Sequence, residues 1–324
     1  MDIKAGGIAV VGRHRLGTCQ NIDQVPVLHA ALEGGSFSSR CTRSALQRLY
    51  QDGGVWTVDR LRYWDLLNFE NVADNLRESF RVIAASRGAG EVRELRGVSI
   101  AAAGVTFQMF NAAFLSEPVQ TEAELAQRVM LASVHFNARG LEWAYWVCEG
   151  WLENRTRKRS RQVFERLGLR HSVDLPGMVA ERVAPPVKPQ SAIDVRRVSP
   201  GSTRDAFCAI GSVCFHVPLV WFHEVFDDDS VWKNFAAYVG YVDEEPVSTT
   251  AIVMGGAAVG VYNVATLPSH QHRGYGEAVM RYAIEEARSR TGVERTILQS
   301  TPAGLKLYER MGFRTVTRVS VYSA

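Results

Sequence analysis

Gln271-His272-Arg273-Gly274-Tyr275-Gly276 is the stretch of this chain whose residue types and spacing could do chemistry. A glycine-rich loop between a strand end and a helix start exposes several backbone N–H groups, and the helix dipole makes that place electropositive. Phosphate or pyrophosphate binds at such a place. Gly274 and Gly276 remove side chains that would block close approach, and Arg273 adds a positive charge. A Gly-x-Gly alone is a weak signal, because many are plain turns. Its weight depends on the elements around it.

Those elements are legible. Residues 258–267 form an apolar, β-favouring run closed by Pro268, which predicts a buried strand. From 274 to 290, Val279, Met280, Ala283, Ile284 and Ala287 fall on one face of a helix, and Gly292 sits where a helix C-terminus wants a left-handed residue. Residues 296–299 predict a short strand. Ser300 or Thr301 is expected to cap a following helix, with Pro302 in its first turn and Gly312 at its end. Residues 313–322 predict a last strand. Strand, helix, strand, helix, strand is an α/β arrangement around a sheet.

A second stretch, Leu307-Tyr308-Glu309-Arg310-Met311-Gly312-Phe313, lies downstream with one helix and one strand between. The pair resembles the signature of the GNAT acyltransferase superfamily. Gln271, Gly274 and Gly276 match its phosphate-binding Gln/Arg-x-x-Gly-x-Gly/Ala, and the downstream stretch matches its Leu-Tyr-x-x-x-Gly-Phe. The resemblance covers about residues 193–322. It implies a mixed, splayed sheet flanked by helices, whose gap admits the pantetheine arm of coenzyme A, with acetyl-CoA or another acyl-CoA as donor and no metal. Val264, Ala265 and Thr266 would offer backbone groups to pantetheine and polarise the acyl carbonyl. The amides of Gln271, His272, Arg273, Gly274, Tyr275, Gly276, Glu277 and Ala278 would hold the pyrophosphate. Tyr308 would protonate the departing thiolate, an apt role for a phenol whose ordinary pKa of ~10 lies just above that of a thiol.

Acyl transfer to an amine also needs the amine neutral, through a carboxylate, a histidine or a water chain. The predicted strand carries no carboxylate. Candidates come from Cys214-Phe215-His216-Val217-Pro218-Leu219-Val220-Trp221-Phe222-His223-Glu224, because the first helices of this family line the acceptor pocket. Glu224 and His223 are the expected bases; Trp221, Phe222 and Asn263 are the expected acceptor contacts. For each of these the plainer alternative stays open: a solvated helix end, or a hydrogen bond within a strand.

The boundary that stands out is Val183-Ala184-Pro185-Pro186-Val187-Lys188-Pro189-Gln190-Ser191, whose prolines resist helix and read as a semi-rigid linker. It separates an expected degenerate GNAT-like domain, 1–183, from an expected catalytic GNAT domain, 192–324, with 184–191 as linker. Two short echoes support a tandem arrangement: Phe110-Asn111-Ala112-Ala113-Phe114-Leu115 with Tyr262-Asn263-Val264-Ala265-Thr266-Leu267, and Phe164-Glu165-Arg166-Leu167-Gly168-Leu169 with Tyr308-Glu309-Arg310-Met311-Gly312-Phe313. After Leu115, however, no Gly-x-Gly follows, and Glu117, Glu122 and Glu124 occupy the region where a pyrophosphate would need positive charge. Phe164 stands where the tyrosine would be. The first half is therefore expected to have lost coenzyme A. Its Trp143-Ala144-Tyr145-Trp146-Val147-Cys148 reads as a core strand.

Composition sets the frame. The 324 residues carry 46% hydrophobic and 22% charged side chains, ordinary for a globular protein. No apolar run approaches the ~20 residues of a membrane-spanning helix, and the N-terminus reads as no secretory signal. Five cysteines without a Cys-x-x-Cys pair argue against a disulfide framework or a zinc site and fit a reduced cytoplasm. Through Ser191 there are 24 Lys and Arg against 20 Asp and Glu, and thereafter 13 against 14. The excess sits in Arg155-Thr156-Arg157-Lys158-Arg159-Ser160-Arg161, a solvated helix face or a dock for something anionic, and nucleic acid is not the default partner. The expected activity is N-acetyl transfer from acetyl-CoA to a small-molecule primary amine, by a monomer or a homodimer. The alternatives are a carrier-protein or aminoacyl-tRNA donor, and a non-catalytic coenzyme A-binding module.

Overall fold

The computed structural model describes residues 8–11, 14–18 and 60–324, with side chains from Phe69 onward. Cys19, Cys41 and most of the expected first domain before residue 60 lie outside the described residues. The chain divides into two compact units, Met1–Asn68 and Phe69–Ala324. In the first, β1 (Ile8–Val11) pairs antiparallel with β2 (His14–Thr18). Helix α1 (Arg60–Ser86) carries the chain into the second unit.

The second unit is organised on one mixed sheet of eleven strands. Its elements, in chain order, are β3 (Glu91–Leu95), β4 (Val98–Ala102), β5 (Asn111–Leu115), α2 (Glu122–Asn137), β6 (Ala144–Cys148), α3 (Asn154–Arg166) and β7 (Arg170–Ala180). After residues 181–193 come β8 (Asp194–Arg197), α4 (Ser202–Phe215), α5 (Leu219–Phe226), β9 (Ala236–Val242), β10 (Glu245–Gly255), β11 (Ala258–Thr266), α6 (Tyr275–Thr291), β12 (Thr296–Gln299), α7 (Leu305–Arg310) and β13 (Arg314–Ser323). Across the sheet the order is β3-β4-β5-β6-β13-β7-β12-β11-β10-β9-β8. Two meanders, each closed by one parallel pair (β5 with β6, β11 with β12), form its wings.

The centre is made by exchange. β7, the last strand before the linker, pairs with β12 and β13, while β13 pairs with β6 and β7. Each wing thus inserts its last strand beside the other, and the sheet runs through both without a break. Phe164 of α3 stacks on Tyr322 of β13 at 4.0 Å and an interplanar angle of 11°, so the exchanged strand also fills the first wing's core.

Strand residues alternate between two helical layers, as the pleat requires. Ala112 and Phe114 face α1, whose Val72, Leu76, Phe80 and Ala84 form one buried cluster with them. Ala113 and Leu115 face α2 and α3. In the second wing Ala237, Val239, Ala251 and Val253 pack against α4 and α5, and Tyr238 and Ile252 against α6. The predicted apolar face of α6 is the buried one, and Gly292 ends the helix at φ 71°. The predicted core strand at Trp143 also holds, beginning at Ala144.

Two expectations are corrected. Neither Ser300 nor Thr301 caps α7; the chain first makes a turn, with the Gly304 amide on the Thr301 carbonyl at 3.1 Å, and the helix starts at Leu305. Ser300 is held at the sheet instead, its amide on the Pro176 carbonyl at 2.9 Å. Of the two echoes, only the second occupies matching places. Gly168 and Gly312 end α3 and α7 at φ 87° and 91°, and the amides of Leu169 and Phe313 return to the carbonyls of Phe164 and Tyr308 at 3.1 and 3.0 Å. The first echo is out of register. Asn111 opens β5, whereas Asn263 lies late in β11, at positive φ.

Helix α1 is fastened to the second wing by asparagines. Asn75, fully buried, donates to the carbonyls of Val253, Gly255 and Ala258 at 3.2, 2.8 and 3.0 Å and accepts the Tyr262 hydroxyl at 2.7 Å. These groups flank the two-residue β10–β11 turn, where Gly256 and Ala257 both have φ 56°. Asn75→Ala removes one acceptor of the Tyr262 hydroxyl and the side-chain donor that three carbonyls share. It is expected to destabilise the fold by about 2–3 kcal/mol, a drop in Tm of roughly 5–10 °C for a unit of this size. Calorimetry of the variant checks it.

Candidate active site

The loop between β11 and α6 is a cradle of backbone. Pro268–His270 forms a single 3-10 turn, His272 has φ 62°, and Gly274, the N-cap of α6, has φ 84°. The first helical hydrogen bond is that of the Ala278 amide to the Gly274 carbonyl. The amides of Tyr275, Gly276 and Glu277 therefore have no acceptor within the helix. Gln271, His272, Arg273 and Gly274 are exposed. A Cβ on Gly276 would stand 2.9 Å from the Thr266 hydroxyl, so only glycine lets the helix start this close to the strand end. Ala278 is buried in the helix and supplies no free amide. Electronically the cradle suits an anion: free donors, the positive end of a dipole, and Arg273.

Beside it the sheet opens. β11 and β12 pair only through Val259–Thr296, Gly260–Ile297 and Val261–Leu298. Beyond Val261 the two strands part, and the edge of β11 from Tyr262 to Thr266 has no strand neighbour on that side among the described residues. A bulge accompanies the parting. Ala265 pairs with Thr249 but Tyr262 with Ala251, with Asn263 at φ 48° and its carbonyl held by the Thr249 hydroxyl at 2.8 Å. Bulges re-aim backbone and side chains at functional edges. Here the result is a slot along Val264, Ala265 and Thr266, in which the Ala265 carbonyl already accepts the Ser248 hydroxyl at 2.7 Å. Gln271 lies across its end, donating to the Thr266 carbonyl at 3.1 Å.

Tyr308 stands on α7, just after β12, in one buried cluster with Val261, Met280 and Leu298. It is 7% exposed, and burial pushes its phenol up to about 12. The ring packs against Gly304, where any Cβ would come within 2.6 Å of it. Residues 206–313 match the acetyltransferase (GNAT) family. This stretch is a GNAT-family domain.

The fold is shared more widely. A GCN5-related N-acetyltransferase from Kribbella flavida is 17% identical over 76% of this chain and 93% of its own, with a TM-score of 0.59. A conserved protein of unknown function from Staphylococcus epidermidis is 13% identical over 73% of this chain and 94% of its own, with a TM-score of 0.53. At these identities the likeness is one of fold. No curated protein matches by sequence.

On the other face of the GNAT domain, the end of α4 covers the slot. The half-buried Cys214 thiol meets the Thr266 backbone; burial raises its pKa and this contact opposes the rise. The expected bases on α5 already have partners. Both Glu224 oxygens accept the Thr106 amide, at 3.0 and 2.9 Å, and one also accepts its hydroxyl at 3.2 Å. His223 Nδ1 is 2.9 Å from the Asp227 carboxylate. Phe222 is buried in the core beneath α4, 2.5 Å from where a Gly211 Cβ would be. Trp221 stacks on Phe107 at 5.3 Å and 24°.

Nothing in the residue pattern pointed to the segment that α5 leans on. Residues 103–110 belong to the first wing, yet Arg87 ties its Ala103 carbonyl (2.9 Å) to the Glu224 and Val225 carbonyls (2.6 and 3.0 Å). Ala103 and Val105 share a core cluster with Ala265. The wall near the strand end is thus aromatic and aliphatic and comes from both wings.

In the first wing the corresponding place is shut. β5 and β6 part after Phe114–Trp146, but the Val119 amide then binds the Trp151 carbonyl at 2.8 Å and the Glu153 amide binds the Val119 carbonyl at 2.9 Å. The α2 terminus caps itself: Thr121 accepts the Glu124 amide at 3.2 Å, and Glu124 accepts the amide of Gln120, the residue before the cap, at 2.8 Å, an arrangement close to a capping box. Arg128, 6% exposed, donates to the Glu117 and Pro118 carbonyls at 2.5 and 2.9 Å and to Glu124 at 2.5 Å. The Glu124 amide and the Arg128 guanidinium, two donors that a phosphate could use, are thus already engaged.

The remaining features are quieter. In the basic helix α3, Arg159 pairs with Glu122 and Arg161 with Glu165, on exposed surface. Among the described residues no cluster could hold a metal ion, and no helix is long and apolar enough to cross a membrane.

Proposed function

We propose that the protein is an acyl-CoA-dependent N-acyltransferase, with acetyl-CoA as donor and a primary amine of a small molecule as acceptor. The observation that carries this reading is the juxtaposition of the β11–β12 slot with the glycine start of α6. A thioester arm fits the slot and a pyrophosphate fits the amides, at one end of the sheet. The amine nitrogen attacks the acyl carbon, whose oxygen is polarised by peptide N–H groups of 264–266. The C–S bond breaks, and Tyr308 donates a hydrogen bond or its proton to the leaving sulfur. The amine's proton passes to His223 or Glu224, directly or through water; of the two, Glu224 has the competing task of holding Thr106.

The first wing, on this reading, is a GNAT-like half whose own slot has been zipped and whose loop 103–110 shapes the acceptor wall. Isothermal titration with acetyl-CoA is expected to give one site per chain. A stoichiometry of two would return the first wing to catalysis, and no binding at all would remove the donor assignment. Acetylation of a panel of primary amines, followed by thiol release, then reads the activity.

A further inference from the structure

The linker between the wings lies along α6 as a strap fastened at several points. Near its start the Ala184 amide binds the Met311 carbonyl at 2.8 Å, and Arg281 of α6 donates to the Ala184 carbonyl at 2.6 Å. Arg182 pairs with Glu294 beyond the other end of the helix. At the strap's end the Ser191 hydroxyl donates to the Arg273 carbonyl. The same oxygen stands 2.7 Å from where a Gly274 Cβ would be. Between strap and helix is a cleft of about 640 Å³, lined by Arg182, Gln190, Arg281, Tyr282 and Glu285 among others. Its balanced charges favour no particular ligand. The Ser191 contact says more.

A peptide unit is planar, with its C=O and N–H pointing in opposite directions. The Arg273 carbonyl and the Gly274 amide belong to one such unit. Whatever holds the carbonyl therefore aims the amide. The carbonyl precedes the first helical acceptor, Gly274, so α6 does not fix it, and Gly274 at φ 84° sits in a region where glycine turns freely. A carbonyl flipped inward would present a negative dipole to an anion in the cradle. We propose that Ser191 is a positioning residue for the pyrophosphate loop: its hydroxyl holds the Arg273 carbonyl outward and so keeps the Gly274 amide turned toward the phosphates. The linker, on this view, completes the donor site. The inference rests on the proposed use of coenzyme A.

The test compares donors with and without a pyrophosphate. Ser191→Ala is expected to raise the KM for acetyl-CoA and the Kd for coenzyme A about three- to tenfold, the range of one lost hydrogen bond, with kcat nearly unchanged. Turnover of S-acetylpantetheine, which lacks the pyrophosphate, should not change, and Ser191→Thr should restore the wild-type KM. A merely structural loss would move both donors alike, and that result overturns the proposal. So does an unchanged KM for acetyl-CoA in a wild type that binds coenzyme A. A wild type that binds no coenzyme A removes the proposed function itself, and this inference with it.

Discussion

Tyr308→Phe is expected to lower kcat about 100-fold while leaving the Kd for coenzyme A within about twofold of the wild type. The size follows from the burial of the phenol. A free tyrosine near 10 is close enough to a thiol near 8.5 for proton transfer to be nearly balanced. Burial moves Tyr308 to about 12, so complete transfer to a thiolate becomes uphill by about 3.5 units, or roughly 5 kcal/mol. A hydrogen bond that strengthens as negative charge develops on sulfur has no such penalty. Removing one such donor costs about 10²–10³ in rate, below the upper range of full general-acid catalysis. A loss of 10⁴ or more would mean that bound substrate lowers the phenol's pKa and that transfer is complete.

The pH dependence separates Tyr308 from the base. Its pKa is raised, so the neutral, donating form is fully present below the unfolded value of about 10 and is lost only as pH rises through about 12. The same sign holds for stability: the contribution of the buried neutral phenol declines only across that alkaline window. An acid limb in kcat/KM near neutrality therefore belongs to the amine or its base, and should persist unchanged in the phenylalanine variant. A limb that moves with Tyr308→Phe would contradict this assignment.

How much of the site could be read from the sequence depends on how local its determinants are. Gln271, Gly274 and Gly276 were legible because a glycine-rich helix start is encoded within a few residues, and the face of α6 because its period is. The helix end at Gly312 was legible for the same reason. Strand exchange was not. β7 and β13 are more than a hundred residues apart, and nothing in either strand's alternation names its partner. The commitments of Glu224 were equally hidden, since its partner Thr106 lies 118 residues away. The first echo misled because Tyr-Asn and Phe-Asn can begin a strand or sit in a bulge; register depends on pairing, which composition does not carry. The acidic stretch after Leu115 was read as hostile to phosphate through its charge; in the structure Glu124 acts as a cap that uses up donors. Ser191 looked like the end of a linker.

Gly276→Val is expected to weaken coenzyme A binding at least about 100-fold, a loss of some 2.7 kcal/mol. Backbone conformation does not require glycine here, since Gly276 is an ordinary helical residue without positive φ. Space does. On the strand side its Cβ meets the Thr266 hydroxyl at 2.9 Å. That hydroxyl cannot simply swing away, being 2.9 Å from Ser248 Oγ, which itself donates to the Ala265 carbonyl at 2.7 Å. Valine's methyl groups are thus directed away from the strand and over the amides of 275–277, where a phosphate oxygen would lie. Helix propensity favours valine over glycine by less than ~1 kcal/mol, which offsets part of the roughly 1–3 kcal/mol that crowding against Thr266 costs, so binding should fall further than stability. A second pair of variants divides the two possible causes. Gly276→Ala alone adds only the Cβ that meets Thr266, and combining it with Thr266→Ala removes that clash. Recovery of coenzyme A binding in the double variant, beside continued loss in Gly276→Val, places the clash at the strand and the blockage at the phosphate seat. Wild-type affinity in Gly276→Val would mean that the pyrophosphate is bound elsewhere than at the start of α6.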